Sequence, residues 1–249
     1  MTMSVNPMLL ELDGVSKHYG GVAAVDLCSF SVAERSITGL IGPNGSGKTT
    51  VFNLISGFSK PDSGQIRFDG KVLNGMAPGS IYRKGVSRTF QMARIFPRLT
   101  ALENLMVPVR RKGLQGLIWG YKGVGEVEAA REMLHKLGAS HVADELVGRL
   151  SYGQRRLVEL GTLMMSHPRM VLLDEPAAGV HHSVLETLSR YILDAQGDGV
   201  TFVIVEHNLN FVMDICHHVV VLDRGRTIAE GAPDDIVDDQ VVVDAYLGD

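Results

Sequence analysis

The stretch that decides the fold of this 249-residue chain reads Gly42-Pro43-Asn44-Gly45-Ser46-Gly47-Lys48-Thr49. It matches the pattern G-x-x-x-x-G-K-[ST], whose glycines let successive backbone N–H groups curl around phosphate oxygens. An apolar run at 36–41 leads into the turn, and residues 50–56 leave it as a predicted helix that Gly57 ends. The alternative, a chance glycine-rich turn, is disfavoured by these flanks. The order of strand, turn and helix therefore predicts an α/β fold that binds phosphate at a helix N-terminus.

The segments around this turn predict strands of two kinds. Alternating apolar and polar residues at 9–12 and 25–32 predict strands with one wet face, and 64–70 predicts a strand that ends in an Asp-Gly turn. Continuous apolar runs at 170–173 and 201–205 are typical of strands buried on both faces of a parallel sheet. A hairpin is predicted at 219–229, and Ser183 with Glu186 predicts a capping box at the start of a helix.

The middle of the chain is predicted to be helical. Residues 126–137 carry apolar side chains at helical spacing, whereas the glycine-rich stretch 113–125 reads as a loop. We therefore predict an α-helical subdomain at 92–165, inserted into an α/β core formed by 8–91 and 166–249.

Two acids follow the buried run at 170–173. Asp174 and Glu175 would stand at the carboxyl end of a strand, where open α/β sheets bind ligands. If the loop holds a nucleoside triphosphate, Lys48 would reach the β- and γ-phosphates. Asp174 and the Thr49 hydroxyl would bind Mg²⁺, and Glu175 would polarise the attacking water. Alone, an Asp-Glu pair after a strand is usually a solvated strand end.

A third motif, Leu150-Ser151-Tyr152-Gly153-Gln154, predicts a second helix N-terminus with free N–H groups. Ser151 and Gln154 form a capping box, and read alone the motif is only a capped helix. Together with the preceding motifs it resembles the signature motif of ABC ATPases, in which this helix meets the γ-phosphate of ATP held by a partner subunit. Tyr19, Gln91 and His207 match the adenine-stacking aromatic, the glutamine at magnesium and water, and the switch histidine of that family.

The resemblance covers residues 9–248 and implies a fold, a set of contacts and partners. The fold would be a P-loop NTPase (RecA-like) core with an antiparallel β subdomain and the inserted α-helical subdomain. Catalysis would fall to Glu175, His207 and Gln91, and Mg²⁺ to Thr49, Gln91 and Asp174. ATP contacts would come from Tyr19, Gly42, Pro43, Asn44, Gly45, Ser46, Gly47, Lys48, Thr49, Thr50, Ser151, Gly153 and Gln154. The partners would be two membrane permease subunits, a second ABC ATPase subunit, identical or different, and a solute-binding protein.

Three further stretches are similar to one branch of the family. Residues 87–100, 205–209 and 228–233 resemble the ATPases of branched-chain amino acid importers, particularly their first ATPase subunit. The ATPases of urea and amide import and of lipopolysaccharide export are related alternatives. One departure is His181, which stands where most ABC ATPases place an aspartate in a loop that crosses to the partner. Adjacent histidines point in different directions, so we expect surface or interface roles rather than a metal site for His181, His182, His217 and His218.

Composition sets the remaining limits. The net charge of −4 gives no reason to expect a nucleic-acid partner. Cys28 and Cys216 have apolar neighbours and are predicted to be buried thiols in a reducing compartment. We find no signal peptide and no apolar run long enough to cross a bilayer, so we expect a soluble chain. The resemblance to ABC ATPases implies that it is cytoplasmic and docks on the inner face of the cell membrane. Two alternatives compete with a transporter ATPase. One is a soluble ABC protein that acts on ribosomes or DNA. The other is a P-loop kinase or GTPase, although these proteins lack the LSYGQ element.

Overall fold

The computed structural model describes residues 7–89, 95–109 and 124–247, which form two compact units. The first takes the described parts of Met1–Arg88, Arg169–Pro176 and Ala195–Asp249. The second takes those of Thr89–Pro168 and Ala177–Asp194. The second unit thus includes 177–194, which the predicted boundaries assign to the core. The division into nucleotide-binding core and signature-motif subdomain stays a prediction.

The first unit contains two β-sheets. Their strands are β1 (Met8–Tyr19), β2 (Val22–Ala33), β3 (Ile37–Ile41), β4 (Ser63–Phe68), β5 (Lys71–Val72), β6 (Val86–Arg88), β7 (Met170–Asp174), β8 (Thr201–Val205), β9 (His218–Asp223) and β10 (Arg226–Gly231). The first sheet is antiparallel in the order β2-β1-β4-β5, with Leu12 opposite both Phe30 and Ile66. The predicted antiparallel β subdomain is therefore confirmed.

The second sheet has the order β10-β9-β3-β8-β7-β6 and is parallel except at β10. Every residue of β3, β7 and β8 is buried, which confirms the strands predicted at 170–173 and 201–205. The hairpin from β9 to β10 turns through Arg224 and Gly225, both with positive φ (44° and 83°) as its tight turn requires. Because these strands are parallel, the carboxyl ends of β3, β7 and β8 lie at the same edge of the sheet.

The described helices are α1 (Lys48–Ile55), α2 (Pro78–Arg83), α3 (Ala101–Met106), α4 (Val124–Lys136), α5 (Tyr152–Met164), α6 (His182–Gly197), α7 (Leu209–Ile215), α8 (Pro233–Val237) and α9 (Gln240–Leu247). Val51, Phe52 and Ile55 of α1 belong to one buried cluster with side chains from both sheets. This packing fixes α1, and with it the turn at its N-terminus. Among the described residues, no helix combines the length and the apolar character that crossing a membrane requires.

The second unit is built on α3, α4, α5 and the first part of α6, with 3₁₀ turns at Ser140–Val142 and Val147–Arg149. The helix predicted at 126–137 is confirmed as α4; most of the predicted loop at 113–125 lies outside the described residues. A Cβ at Gly161 of α5 would lie 2.8 Å from Leu137 Cδ1 and 3.4 Å from Leu105 Cδ2. The missing side chain therefore lets α5 pack closely against its neighbours.

The capping box predicted at Ser183 and Glu186 is wrong. Helix α6 begins at His182, and the carbonyl of His181 accepts the first helical hydrogen bonds, from the N–H groups of Val184 (2.9 Å) and Leu185 (3.1 Å). The Ser183 N–H in turn faces the His181 Nδ1 atom at 3.4 Å. The histidine therefore precedes the helix in the position predicted for the serine, which lies inside the first turn.

Both cysteines are buried in the first unit, as predicted. Burial raises the pKa of Cys28, and it raises the pKa of Cys216 to about 12. Neither thiol is therefore a reactive nucleophile in the folded protein.

Candidate functional site

The glycine-rich turn lies between β3 and α1 and depends on the absence of side chains. Gly42, Gly45 and Gly47 have φ values of 144°, 79° and 105°, which L-residues with a Cβ rarely adopt. A Cβ at Gly42 would overlap the carbonyl oxygen of Leu222, and one at Gly47 would overlap that of Ala24. Glycine is therefore needed at both positions for conformation and for close packing.

Lys48 is buried at the first position of α1, with 6 % of its surface exposed. Its Nζ atom donates to the carbonyl oxygens of Gly42 (2.8 Å) and Pro43 (2.7 Å). Burial lowers the pKa of the Lys48 ammonium, and the nearby carboxylates of Glu175 and Asp174 offset part of that effect. The ammonium is thus held inside the curl of the turn, where a phosphate would offer it stronger, charge-assisted hydrogen bonds than carbonyl oxygens do.

The two acids and the histidine come together at the carboxyl ends of β7 and β8. Asp174 is 1 % exposed, while Glu175 and His207 are partly open to solvent. The Glu175 N–H donates to the Val205 carbonyl (2.9 Å), and its Oε1 lies 3.4 Å from His207 Nε2. The first unit thus gathers Lys48, Asp174, Glu175 and His207 at one edge of its parallel sheet.

A buried glutamate holds the backbone that carries His207. Glu206 is 2 % exposed, and its Oε2 accepts hydrogen bonds from the N–H groups of His207 (3.0 Å) and Asn208 (3.2 Å). Asn208 then caps α7 by accepting from the Phe211 N–H (3.2 Å). The chain direction after β8 is therefore fixed by side-chain hydrogen bonds on both sides of the histidine.

Tyr19 ends β1 in the same unit and has an accessible ring, with 52 % of its surface exposed. Its hydroxyl lies 3.1 Å from Ser59 Oγ, and Lys17 Nζ lies 5.5 Å from the ring centre. The exposed face is available for stacking on a flat heterocycle. Gln91 lies outside the described residues.

The second unit presents the predicted capping box at the start of α5. Ser151 Oγ accepts from the Gln154 N–H (3.3 Å), and Gln154 Oε1 accepts from the Ser151 N–H (2.9 Å). Gln154 Nε2 also lies 3.3 Å from His141 Nε2, and a Cβ at Gly153 would crowd Val184 at 2.9 Å. Ser151 is exposed, so the first turn of the helix is open to an anion from outside the unit.

Comparison with known proteins decides the family. The family model described as "ABC transporter" matches residues 25–178, and "Branched-chain amino acid ATP-binding cassette transporter" matches 226–249. The chain belongs to the ABC transporter family. Its match includes the glycine-rich turn, the LSYGQ motif and the acid pair, so the family relationship predicted from these motifs is confirmed.

Similar proteins extend the likeness over nearly the whole ABC cassette. The high-affinity branched-chain amino acid transport ATP-binding protein BraF of Pseudomonas aeruginosa is 38 % identical over 97 % of this chain and 98 % of its own. A crystal structure of an ABC transporter cassette in its ADP conformation is 35 % identical, with a TM-score of 0.87 over 98 % of this chain and 100 % of its own. A dimeric bacterial ABC transporter cassette is 25 % identical, with a TM-score of 0.77 over 90 % and 98 %. The predicted P-loop NTPase fold is confirmed.

The donor set of this ABC cassette fits Mg²⁺ bound together with a nucleotide. No three His, Cys, Asp or Glu side chains within the described ranges gather as a metal site of their own. Magnesium at a nucleotide needs only one or two protein oxygens, because phosphates and water complete its octahedron. The carboxylate of Asp174 and the hydroxyl of the exposed Thr49 are hard oxygen donors that could hold the ion.

The sequence motifs assign no role to Arg88 or Glu206, which the structure places beside the predicted site residues. Both are charged side chains within or directly after buried strands. A buried charge needs a partner that satisfies its hydrogen bonds. A charged side chain within or directly after a predicted buried strand is therefore the signal that could have drawn attention to them.

Proposed function

We propose that this chain is the ATP-hydrolysing subunit of an ABC importer for branched-chain amino acids, working through separate permease subunits. The observation that carries the ATPase is the grouping of Lys48, Asp174, Glu175 and His207 at one sheet edge. The substrate class is supported by the family match over 226–249 and by the names of the relatives.

Each side chain has a role that follows from its place. Lys48 and the N–H groups of the glycine-rich turn hold the β- and γ-phosphates, while Tyr19 stacks on adenine. Thr49, Asp174 and Gln91 would hold Mg²⁺, which would supply positive charge beside the phosphates. Glu175 orients and polarises the attacking water. The remaining loop positions, Gly42, Pro43, Asn44, Gly45, Ser46, Gly47 and Thr50, line the phosphates.

His207 completes this set from the neighbouring strand. Its imidazole lies against the Glu175 carboxylate and can contact both that acid and a γ-phosphate. Phosphoryl transfer depends on alignment and charge placement rather than on covalent help. A glutamate and a histidine fixed at the ends of adjacent strands supply that alignment.

A second cassette completes the site. Ser151, Gly153 and Gln154 of one copy would face the γ-phosphate held by the other copy, so that ATP joins the two and hydrolysis releases them. The dimeric bacterial cassette supports this arrangement.

On the inner face of the cell membrane, the dimer would contact two permease subunits, which would convert its closing into transport. A solute-binding protein would deliver the amino acid. The helical unit at 92–165 would contact the permeases.

The Glu175→Gln variant tests the catalytic part of the proposal. We expect ATPase activity to fall by about 10²–10⁴-fold, the usual range for a lost general base, while ATP binding persists. Glu230→Gln is the matched control, because it alters another Glu–His pair of the first unit (3.8 Å to His218) and should leave the rate unchanged. Rapid hydrolysis by Glu175→Gln would remove the acid from its role.

Leucine uptake by proteoliposomes holding the full complex, with urea as the comparison, tests the substrate class.

A further inference from the structure

Arg88 connects two structural elements of the site, helix α1 and strand β7, through hydrogen bonds. Its Nη1 atom donates to Asn53 Oδ1 (2.7 Å) and Ser56 Oγ (3.1 Å), at the end of α1. Its Nη2 atom donates to Asp174 Oδ2 (3.0 Å), at the end of β7. We call Arg88, Asn53, Ser56 and Asp174 the Arg88 brace.

The brace is buried and shaped for a guanidinium. The side chains of Arg88 and Asp174 are 6 % and 1 % exposed, and the guanidinium carbon lies 5.4 Å from the centre of the Phe52 ring. A planar fork can stack on a ring and donate in two directions at once. A lysine ammonium is a point charge and cannot keep this geometry.

The position of the brace links two groups that the nucleotide needs. Helix α1 carries Lys48 and Thr49 at its first turn, and β7 carries Asp174 at its last residue. By joining the far end of α1 to that carboxylate, Arg88 fixes the orientation of Asp174 relative to the helix that bears the Thr49 hydroxyl. A carboxylate that accepts a charge-assisted hydrogen bond on one oxygen cannot turn freely.

We infer that Arg88 is a positioning residue, which orients Asp174 so that the nucleotide is bound more tightly with magnesium than without it. The inference rests on the proposed function, because it needs Asp174 to serve the metal. Side chains that hydrogen-bond a metal ligand are worth about 10–100-fold in metal affinity. Arg88 should therefore govern the gain in nucleotide affinity that magnesium gives, and not the affinity of metal-free nucleotide.

The test measures the dissociation constant of the non-hydrolysable analogue AMP-PNP by calorimetry, once in excess MgCl₂ and once in excess EDTA. The ratio of the two constants is the magnesium gain. We expect Arg88→Met to reduce this gain about tenfold or more and to leave the EDTA value unchanged. Arg88→Lys, which keeps the charge and loses the fork, should reduce it less. A merely structural loss would weaken binding equally in both conditions.

Arg169→Met is the matched control. Arg169 belongs to the same unit, pairs with Glu34 (3.1 Å) and Asp69 (2.9 Å), and lies 5.6 Å from the Phe68 ring centre. It thus shares ion pairing and ring stacking with Arg88 but does not bond Asp174. We expect its magnesium gain to equal that of the unaltered protein.

Asp174→Asn separates this inference from the proposed function. If the unaltered protein has no magnesium gain, or if Asp174→Asn keeps it, the proposed role of Asp174 fails. If Asp174→Asn loses the gain, Arg88→Met added to it should cause no further loss. A normal gain in a folded Arg88→Met protein, beside a lost gain in Asp174→Asn, overturns the inference about Arg88 alone.

A milder variant covers the case in which Arg88→Met does not fold. The double variant Asn53→Ala with Ser56→Ala keeps the pair between Arg88 and Asp174 and removes only the anchor on α1. We expect the magnesium gain to fall about threefold, less than the roughly 10–100-fold loss expected when the side chain that hydrogen-bonds the metal ligand is removed. A gain equal to that of the unaltered protein would overturn the inference.

Discussion

Glu175 shows how a single residue is set for its proposed task. Its φ of 50° is a left-handed conformation that side chains other than glycine rarely adopt, and its N–H is held by the Val205 carbonyl. Such strain costs about 1–3 kcal/mol and persists where the surrounding structure enforces it. Here the turn after β7 directs the carboxylate to His207 instead of letting it follow the strand.

The glycine-rich turn gives a prediction at the same scale. Gly42→Ala should destabilise the protein by about 2–5 kcal/mol, because the left-handed conformation costs about 1–2 and the overlap with the Leu222 carbonyl about 1–3. Gly45→Ala is the control, since Gly45 has positive φ but nothing within 4 Å of an added Cβ. It should cost only the first of the two amounts. Urea unfolding measures both, and equal losses would contradict this account of the turn.

The motifs found from sequence and Arg88, which the sequence patterns missed, differ in the distance to their partners. The turn at 42–49 and the capping box of Ser151 and Gln154 are local patterns, so the sequence predicts them directly. Arg88 bonds Asn53 and Asp174, which are 35 and 86 positions away. No local pattern records such a pairing, because only the sheet order β8-β7-β6 brings these elements together.

At the scale of elements, the N-terminus of α5 has both a structural and a proposed functional part. The capping box stabilises the helix, and the exposed Ser151 is proposed to face ATP. A second capping box, of Thr100 and Glu103, starts α3 in the same unit with the same hydrogen bonds (3.1 Å and 2.9 Å). The pair allows the two parts to be separated.

Ser151→Ala and Thr100→Ala should each lower the free energy of unfolding by about 1 kcal/mol, since each removes a cap. Only Ser151→Ala should abolish nucleotide-dependent association, because only Ser151 is proposed to meet the partner's ATP. Urea unfolding measures the first effect, and sizing with MgATP measures the second. If both variants still associate, or both fail, the special role of Ser151 is refuted.

Element boundaries show where sequence patterns stop being sufficient. Ser183 and Glu186 have the spacing of a capping box, yet α6 begins at His182 with His181 before it. The S-x-x-E pattern fits several registers along a helix, and a preceding histidine that can accept a hydrogen bond shifts the start. Strand positions were predicted more securely, because a continuous buried run such as β7 leaves no alternative register.

The link between the two sheets of the first unit gives a pH-dependent prediction. Asp69 follows β4, and Arg169 precedes β7; the hydrogen bond from the Arg169 guanidinium lowers the pKa of Asp69. A lowered pKa in the folded protein stabilises it above the ordinary aspartate value, about 3.9, and the benefit is lost as the pH falls through the folded pKa. Asp69→Asn should therefore be less stable at pH 7 and no different in acid below both values. An equal deficit at both pH values in urea unfolding would contradict this.

At the scale of the whole molecule, the two units carry complementary halves of one proposed site. The first holds Lys48, Asp174, Glu175 and His207, and the second holds Ser151 at an exposed helix N-terminus. In the proposed dimer each nucleotide lies between the first unit of one copy and the second unit of the other. In this proposal the binding free energy of ATP stabilises the associated state of the two copies over the separate state. That difference can drive a conformational change in the permeases.

The most direct measurement is the molar mass of Glu175→Gln by light scattering during sizing, with MgATP, with MgADP and without nucleotide. The account predicts a mass of twice 27.0 kDa with MgATP only, and a single chain when Ser151→Ala is added. A single-chain mass in all conditions, or a dimer that forms regardless of nucleotide and of Ser151, would contradict the claim that ATP joins two copies.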